Sequence, residues 1–490
     1  MDLLTLPGVG PLLRWRHFRL SLQLLSLLAA AIVVLHGLFG PQIAPRNLAT
    51  VLTAIHWRGL IVVALLAVGN LFCTGCPMVL ARDAGRRLVA PRLAWPRVLR
   101  GKWLGAALLV AVLFVYELFD LWALPRATAW LVLGYFGLAL VVDLTFRGAA
   151  FCKHVCPIGQ FNFVASTLAP TELSVRDLGT CRSCRTVDCI KGRREPQPVS
   201  ATGVGPAEAG HDVRRELRVV QRGCELGLFL PSKVGNLDCT LCFDCVRACP
   251  HDNIALATRV PGLELVDDGR RSAIGRLGRR PDIAALVVVF TFAALASAFA
   301  MTSAGVALER QLAIVMGTSS EAIALGALFV LAIGVVPGAL VILAAAVTAA
   351  VAPGPLRTLR EIVLRYAYAL TPLGFGVWLA HYGFHLLTGI LTVVPVTQSA
   401  VVDVLGWPAL GTPLWSWTGV APGAVFPLQL GLVLLGAAGA AALVYVTALR
   451  DAPRRAVAAS ASWMLLVAMV AVAAIWILQQ PMDMRGMSGG

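Results

Sequence analysis

About nine apolar segments, each long enough to cross a lipid bilayer, occupy most of the chain and fall into two groups. A transmembrane helix needs roughly 20 consecutive apolar residues. The first group lies at about 18 to 40, 48 to 71, 103 to 124 and 127 to 146, and the second at about 282 to 304, 321 to 351, 362 to 389, 423 to 449 and 456 to 478. Because only helices and closed barrels satisfy the backbone within a bilayer, this pattern predicts an all-α integral membrane protein with about nine transmembrane helices.

The composition excludes an ordinary soluble protein. Of the 490 residues, 58% are hydrophobic and only 14% are charged, which is more apolar surface than a water-facing globule can bury. The 41 lysines and arginines exceed the 26 aspartates and glutamates, but they are concentrated in short loops beside the apolar segments. This is the positive-inside pattern of membrane proteins, so we expect membrane lipid and not nucleic acid as a partner.

A polar segment separates the two apolar groups and divides the chain into three regions. Residues 1–147 form a first membrane region, 148–280 a polar region, and 281–490 a second membrane region. The polar region begins with a Cys-Pro pair, continues with eight further cysteines and is rich in arginine. We therefore expect an inserted α+β domain outside the bilayer, between membrane regions of about four and about five helices.

The loop charges predict the orientation of the chain in the membrane. Lysine and arginine near helix ends stay on the cytoplasmic side. They occur in the N-terminus, around 82–102, in the polar region, at 357–365 and at 450–455. The N-terminus and the polar region are therefore expected in the cytoplasm and the C-terminus outside, in a membrane of the bacterial inner type. The first apolar segment is too long for a signal peptide, so we expect a retained helix.

The polar region contains a cysteine pattern typical of bacterial ferredoxins. Cys239, Cys242, Cys245 and Cys249 follow the spacing C-x2-C-x2-C-x3-C-P. In two-cluster ferredoxins, three closely spaced thiolates bind one 4Fe-4S cluster and the fourth, before proline, binds the other. Zinc also binds paired C-x2-C motifs, but its four-ligand sites rarely place three thiolates at successive x2 spacings. A disulfide is disfavoured by the reducing cytoplasm. The motif therefore predicts two 4Fe-4S clusters.

A second, irregular set of cysteines precedes this motif. Cys181, Cys184 and Cys189 are spaced C-x2-C-x4-C, and Cys224 follows a polar insertion that is predicted to be a surface loop. By the exchange seen in two-cluster ferredoxins, Cys249 joins Cys181, Cys184 and Cys189, while Cys224 joins the regular motif. The unexchanged partition, with Cys224 in the first set and Cys249 in the second, uses the same residues and stays open.

Four further cysteines form two matched pairs at the membrane. Cys73 and Cys76 lie in FCTGCPM, and Cys152 and Cys156 lie in FCKHVCPIGQF. Each pair ends in Cys-Pro just after a segment that returns to the cytoplasmic side, and the pairs are about 80 residues apart, which is an internal repeat. Four thiolates at one membrane face have the ligand count of a third iron–sulfur cluster, of two-iron or four-iron type. Inert buried cysteines are the alternative.

These motifs together resemble a known family. Two Cys-Pro pairs after early transmembrane hairpins, joined to a cytoplasmic two-cluster ferredoxin segment, are similar to the polyferredoxin membrane proteins of the NapH and NosR type. The resemblance covers roughly residues 20 to 260 and implies electron transfer between the membrane quinol pool and a redox partner protein, with the motif cysteines as cluster ligands. The chain departs from the family in its first pair, which is CxxCP instead of CxxxCP. It also departs in the irregular C-x4-C spacing and in about five C-terminal segments without a counterpart.

Ionisable residues within apolar segments are costly and therefore mark candidate sites. We expect six of them at a similar depth toward the outer leaflet: His381, His385, His36, His56, Glu117 and Asp120. His381 and His385 are four residues apart and share a helix face. The six residues are candidate ligands for a quinone, a b-type haem or a copper ion, and the alternative is that helix contacts satisfy them. Near the inner face, Asp143 is expected to pair with Arg147 at i+4.

The sequence favours a membrane-bound electron-transfer protein over other functions. No combination of acid, base and nucleophile in it suggests hydrolysis or group transfer. The favoured function is an oxidoreductase component that oxidises quinol and passes electrons through about three clusters to a redox partner. The alternative is an assembly or regulatory factor that reduces a metal, or senses redox state, for a membrane oxidase or reductase. A transporter with a ferredoxin insert rests only on the additional helices and lacks a broken-helix site.

Overall fold

The computed structural model describes residues 1–196, 217–352 and 358–482, and helices dominate it. Within these ranges, eight helices are long and apolar enough to cross a membrane. They are Phe18–Phe39, Leu48–Ala67, Pro125–Thr145, Pro281–Ala300, Glu321–Val351, Leu359–Gly389, Pro422–Asp451 and Pro453–Gln479. This confirms the prediction of an all-α, multi-pass membrane protein, while the orientation and the type of membrane stay predictions.

The third expected segment is shorter than predicted. It forms the 16-residue helix Trp103–Leu118, which is about 24 Å long, whereas the hydrocarbon core of a bilayer is about 30 Å thick. The helix ends because Phe119 leaves the helical conformation and Asp120 adopts a left-handed backbone with φ of 44°. A second short apolar helix, Val393–Leu405, follows the sixth spanning helix. At the nine positions where spans were expected, the described ranges contain eight long helices and the shorter helix Trp103–Leu118.

Shorter helices and two small sheets accompany the spanning helices. The helices are Val9–Arg14, Leu71–Thr74, Pro77–Leu88, Pro157–Ala165, Leu178–Ser183, Asp188–Lys191, Asp244–Ala248 and Ser303–Val315. The strands are β1 (Thr171–Val175), β2 (Arg193–Pro196), β3 (Leu217–Gln221) and β4 (Ile254–Thr258). β1 pairs antiparallel with β4, and β2 pairs antiparallel with β3. Most of the polar insertion between Cys189 and Cys224, predicted as a surface loop, lies outside the described residues.

The polar region packs directly against the membrane helices. Eight of the nine residues of Pro157–Ala165 are buried, all except Ile158. One hydrophobic core joins Phe243 of the regular cysteine motif to Phe290 and Trp378 of the spanning helices. Phe161 contacts both of these aromatic residues, with ring centroids 5.1 Å from Phe290 and 5.3 Å from Trp378. The cysteine loops are therefore fixed on the membrane bundle by a shared core.

The two membrane regions form one bundle. Gly59 in the second spanning helix lies so close to Leu386 in the sixth that a Cβ atom at Gly59 would collide with the leucine side chain. Gly376 approaches the seventh spanning helix closely, because an added Cβ would lie 2.6 Å from the backbone oxygen of Leu432. Small residues permit such close helix contact in a bilayer. The C-terminal helices therefore complete the bundle that the N-terminal helices begin.

The two Cys-Pro pairs have the same local structure. Cys76 and Cys156 each precede a helix whose first residue is proline, Pro77 or Pro157. Their backbone angles are nearly equal, with φ −62° and ψ 119° at Cys76 and φ −58° and ψ 108° at Cys156. Proline is favoured at this position because its fixed φ suits a helix start and its missing N–H has no intrahelical partner there. The internal repeat predicted from the sequence thus has a structural counterpart.

The regular and the irregular cysteine motifs also share a backbone pattern. Val187 and Phe243 both adopt the left-handed conformation, with φ of 54° and 59°, and each precedes an aspartate and then a motif cysteine, Cys189 or Cys245. A short helix begins at that aspartate in both motifs. Left-handed angles are unusual for β-branched and aromatic residues and persist where the surrounding structure requires them. The longer spacing of the irregular motif is therefore accommodated before Val187.

Candidate functional site

All 12 cysteines are free thiols. Eight of them border one cavity and four border a second, and the electrostatic interactions among the eight divide them into two sets of four. The membrane-face set is Cys73, Cys76, Cys152 and Cys156. The inner set is Cys224, Cys239, Cys242 and Cys245, and the outer set is Cys181, Cys184, Cys189 and Cys249. In this grouping Cys224 and Cys249 are exchanged between the two ferredoxin-like motifs.

The membrane-face and inner sets line one large cavity between the polar region and the spanning helices. The cavity has a volume of about 520 Å³, which lies within the roughly 300–1,000 Å³ range of ligand and cofactor sites. Its thiols interact electrostatically. Burial raises the pKa of Cys73, and the neighbouring thiols Cys76 and Cys156 raise it further. The cavity therefore brings together groups that repel one another as thiolates.

The outer set surrounds a smaller cavity of about 50 Å³. Asn253 connects two of its members, because its side-chain amide donates to Cys181 Sγ at 3.3 Å and its backbone N–H donates to Cys249 Sγ at 3.4 Å. Burial and the neighbouring thiols Cys249, Cys181 and Cys184 raise the pKa of Cys189 to about 11. The Cys249 thiol therefore lies with the irregular motif, as in the exchanged partition.

The three sets adjoin one another. The backbone N–H of Cys224 in the inner set donates to the backbone oxygen of Cys189 in the outer set at 2.8 Å. In the described ranges, no three histidine, cysteine, aspartate or glutamate side chains converge closely enough to bind a single metal ion. A zinc ion draws its thiolates to about 2.3 Å from one centre, whereas the thiolates of a multi-iron cluster bind different iron atoms and stand farther apart. The lack of a single-ion site in these ranges therefore does not bear on a multi-iron cluster.

Hydrogen-bond donors surround several thiols. Gly159 N–H donates to Cys156 Sγ at 3.0 Å, and the Tyr135 hydroxyl lies 2.8 Å from the same sulfur. Leu228 N–H donates to Cys224 Sγ at 3.4 Å. Burial raises the pKa of Cys156 to about 12, although Tyr135 and Gly159 act in the opposite direction. Clustered, buried thiols with donors directed at their sulfur atoms suit a positively charged metal group, which stabilises the thiolate form.

The large cavity extends from the thiols to aromatic and basic residues within the membrane. Arg58 lies over the Tyr116 ring, with its Cζ atom 3.8 Å from the ring centroid and 5.5 Å from the centroid of Tyr382. Arg58, both tyrosines, His56 and Trp378 border the cavity, and its remaining wall is mainly aliphatic and aromatic. The cavity therefore joins two thiol sets to a cationic end between the spanning helices.

His381 and His385 lie next to each other on the sixth spanning helix. Their ring centroids are 5.1 Å apart, and the ring planes are inclined by 50°. The Nε2 atoms of both rings are buried and have no hydrogen-bond partner within the described ranges. The residues found to border the large cavity do not include either histidine. The pair predicted from the sequence is thus close together, but it is not part of the cavity wall.

His36 and His56 have backbone partners. The Nδ1 atom of His36 accepts a hydrogen bond from Leu48 N–H at 3.1 Å. The two ring nitrogens of His56 lie 3.0 Å from the backbone oxygen of Val51 and 3.1 Å from that of Ile390. The contacts of His56 are what the alternative interpretation of the membrane histidines predicts, whereas His36 Nε2 is buried and has no hydrogen-bond partner within the described ranges. His56 still borders the large cavity and therefore stays a candidate there.

The predicted carboxylates lie in three different surroundings. Glu117 is buried near the end of its helix, and Asp120 lies in the turn that follows. Asp143 accepts a hydrogen bond from Phe151 N–H at 3.0 Å and lies 3.9 Å from Arg82 Nη1. The expected i+4 pairing of Asp143 is thus replaced by contacts to more distant segments, because the turn after its helix brings Phe151 back toward it.

No protein-family model, curated protein or solved structure matches this chain. The resemblance to the NapH and NosR type therefore rests on the cysteine motifs and on their position after membrane helices.

Sequence reasoning missed three residues at the membrane end of the cavity, namely Arg58, Tyr116 and Tyr382. Arg58 carried a usable signal, because it is an arginine inside the apolar segment at 48–71, where charge is costly. The tyrosines carried no comparable signal, since tyrosine is common in membrane helices. Only the fold brings the three residues together.

Proposed function

We propose that this protein is a membrane-bound iron–sulfur electron-transfer protein that relays electrons between a membrane carrier of the quinol class and a redox partner protein. The observation that carries the proposal is one cavity bordered by eight cysteine thiols and by Arg58, Tyr116 and Tyr382. A quinol-coupled relay needs ligands for its cofactors and, next to them, a quinol-binding site inside the bilayer. The protein would be a quinol-oxidising component of a larger oxidoreductase system.

Each thiol set would hold one cluster. The inner and outer sets would each bind a 4Fe-4S cluster, and the membrane-face set would bind a third iron–sulfur cluster. When bound, such clusters supply reversible one-electron transfer. The fit is supported by four thiols in every set, by the burial of Cys239 and Cys245 in the inner set, and by the N–H groups of Gly159 and Leu228 that donate to cysteine sulfur. Such donors stabilise thiolate ligands and influence the reduction potential.

The membrane end of the cavity would bind the quinol head group. The guanidinium group of Arg58 can donate to a quinone oxygen. The Tyr116 hydroxyl is buried and has no hydrogen-bond partner within the described ranges, so a ligand can satisfy it. The apolar wall suits the ring and tail of the carrier. His56 at the cavity wall is the candidate proton acceptor. The His381–His385 pair lies outside the cavity wall, and only one of the two could be an axial ligand of a given haem, because residues four apart share one helix face.

The outer set would exchange electrons with the redox partner protein. Arg182 and Arg185, which flank Cys184 in the sequence, are exposed. A partner in the aqueous phase would therefore reach this set before the two sets at the large cavity. By the positive-inside pattern, this face would be cytoplasmic in a membrane of the bacterial inner type.

Rapid mixing of the anaerobically purified protein with a reduced quinol analogue tests this function. Cluster absorbance and electron paramagnetic resonance (EPR) signals should report rapid reduction. Arg58→Leu should slow this reduction about tenfold or more, because a hydrogen bond from a charged donor contributes about 1.5–3 kcal/mol. Reduction of the variant by dithionite should be unchanged.

Arg46→Leu is the matched control for this experiment. Arg46 also lies over an aromatic ring, 5.1 Å from the Trp415 centroid, but neither residue is among those that border the cavity. The control should be reduced by the quinol analogue at the rate of the wild type. The proposal would be contradicted if dithionite reduced the wild-type clusters but the quinol analogue did not. Binding of a metal other than iron would then favour an assembly factor.

A further inference from the structure

A buried charge network lies beside the inner and membrane-face thiol sets. Arg82 Nη2 donates to both carboxylate oxygens of Glu225, at 2.8 and 2.9 Å, and Arg82 Nε donates to Asp83 at 3.1 Å. The Arg82 side chain is only 1% exposed. Arg19 Nη2 lies 4.0 Å from the same glutamate, and Arg19 Nη1 pairs with Asp244. Two arginines whose side chains are 12% and 1% exposed thus converge on one carboxylate that is 24% exposed.

The network connects the two sets through the chain. Glu225 directly follows Cys224 of the inner set, and Arg82 lies on the helix that begins just after Cys76 of the membrane-face set. Arg19 and Glu225 both border the cavity that the two sets share. The loop-charge pattern explains why arginines occur on this side of the membrane. It does not explain why these arginines are buried beside thiols.

Both guanidinium groups lie close to chain segments that carry the thiols. Arg82 lies on the helix that begins directly after Cys76, and Arg19 pairs with Asp244, which directly precedes Cys245. A nearby cation stabilises a negatively charged group. The charges of the two arginines therefore act on any negative charge that the two sets hold.

The two arginines also have donor atoms left over. Arg82 Nη1 and Arg19 Nε are buried and have no hydrogen-bond partner within the described ranges. Arg82 Nη1 lies 3.9 Å from Asp143 Oδ2, which is an ion pair but not a hydrogen bond. Leaving a buried donor unsatisfied is energetically costly, and more so for a charged group. Arg19 borders the cavity, so its Nε atom is available to an anionic group there.

We propose that Arg82 and Arg19 set the reduction potentials of the clusters in the inner and membrane-face sets, and that Glu225 opposes them. This inference rests on the proposed function, because it requires clusters in these two sets. Reduction adds one negative charge to a cluster, and a nearby buried cation stabilises that charge. Removal of either arginine should therefore lower the potentials, whereas removal of the glutamate charge should raise them.

Opposite shifts in charge-neutralised variants test the inference. The measurement is a redox titration of the full-length, cluster-containing protein, followed by EPR. Arg82→Gln and Arg19→Gln should each shift the reduction equilibrium of at least one cluster about tenfold toward the oxidised form, which is about 59 mV for a one-electron couple. Glu225→Gln should shift it about tenfold toward the reduced form. A purely structural role would not produce shifts of opposite sign.

Arg222→Gln is the matched control. Arg222 Nη1 also pairs with Glu225, at 3.3 Å, but its side chain is 47% exposed, so water and salt screen its charge. The potentials of this variant should stay close to those of the wild type. A shift as large as that of Arg82→Gln would contradict the assignment to the buried arginines.

Iron content, measured on every preparation, separates the possible failures. Unchanged potentials in an Arg82→Gln protein that keeps its iron would overturn the inference, and so would shifts of the same sign in the arginine and glutamate variants. If Arg82→Gln loses its iron, Arg19→Gln and Arg82→Lys decide the question. Arg82→Lys keeps the charge and should keep the potential, so a tenfold shift in it would overturn the inference. Wild-type protein without clusters would overturn the proposed function itself.

Discussion

The inner and outer thiol sets have the same number of cysteines and a shared local backbone, but they occupy different environments. The inner set borders the cavity of about 520 Å³ that extends between the spanning helices, whereas the outer set surrounds a cavity of about 50 Å³. Cys245 of the inner set is buried, and Cys184 of the outer set is partly exposed between exposed arginines. One motif can therefore serve an interior position and a position near the surface.

The two environments act in opposite directions on the thiols of Cys245 and Cys184. Burial raises the pKa of Cys245 well above its ordinary value, and the neighbouring thiols of its set raise it further. The backbone N–H of Val187 and the hydroxyl of Thr186 lower the pKa of Cys184 by hydrogen bonding. The cysteine spacing determines which thiols meet, while burial and local donors determine their chemistry. The following predictions test that distinction, from the largest expected effect to the smallest.

Loss of a cluster is the largest expected effect. Cys245→Ser and Cys184→Ser should each remove one cluster and therefore about a third of the iron. The inner variant should also lower the unfolding temperature more, because metal-binding free energy contributes to folding and Cys245 belongs to the shared core. Iron and sulfide analysis together with thermal unfolding in detergent measures both effects. An equal loss of stability in the two variants would contradict the comparison.

Ion pairs beside the two sets should differ in their contribution to stability. Lys102 pairs with Asp238 next to the inner set, and the two side chains are 4% and 5% exposed. Lys102→Met removes the ion-pair partner of the buried Asp238 carboxylate and should lower the free energy of unfolding by up to about 3–5 kcal/mol. Arg193 and Glu195 beside the outer set are 50% and 60% exposed, so Arg193→Met should cost only about 0–1 kcal/mol. Denaturation of both variants measures the difference, and similar values would speak against it.

Alkylation should distinguish exposed from buried thiols in protein stripped of metal. The thiolate is the reactive form of cysteine. The pKa of Cys184 is lowered, so its alkylation by iodoacetamide should begin at lower pH than for an ordinary thiol. Burial raises the pKa of Cys156 to about 12, so this thiol should stay almost unreactive at lower pH. Mass spectrometry of peptides from a pH series measures both, and equal rates near pH 8 would refute the assignment.

The smallest expected effect concerns the N-terminus, which is attached to the β1–β4 sheet. Asp2 accepts hydrogen bonds from Leu4 and Leu256 N–H at 2.9 and 3.1 Å and pairs with Arg176 at 2.8 Å. Burial opposes ionisation, but these contacts lower the pKa of Asp2 overall. The resulting stabilisation is present above the unfolded pKa of about 3.9 and is lost as the pH falls through the lower folded value.

Asp2→Asn should therefore lower the free energy of unfolding by up to about 1 kcal/mol at neutral pH. The difference from the wild type should shrink as the solution is acidified below the unfolded pKa of about 3.9. Denaturation curves at neutral and acidic pH measure it. A difference of the same size at both pH values would show that the Asp2 charge does not help to attach the N-terminus to the β1–β4 sheet.

The cysteine spacings and the hydropathy pattern predicted much of the architecture because both are local signals. Matched Cys-Pro steps predicted an internal repeat, and Cys76 and Cys156 have nearly the same backbone angles. The number of spanning helices was predicted less accurately. The turn at Asp120 shortens the helix Trp103–Leu118, and hydropathy does not record such a turn. That cysteine ligands hold clusters stays a prediction.

Contacts between distant segments could not be predicted. Arg82 and Glu225 are 143 residues apart, and only the packing of the polar region on the membrane helices brings them together. Tyr116 and Tyr382 meet Arg58 for the same reason. The membrane histidines show the converse problem. His56 lies in an apolar segment, yet both of its ring nitrogens contact backbone oxygens, so the cost of burying a polar group marks candidates without assigning a function.

Anaerobic quantification of iron and acid-labile sulfide, combined with EPR, tests most directly whether three thiol sets hold three clusters. The account predicts about 10 to 12 iron atoms per chain, depending on whether the membrane-face cluster has two or four irons, and EPR signals from more than one reduced cluster. Zinc in place of iron, or iron sufficient for a single cluster, would contradict it.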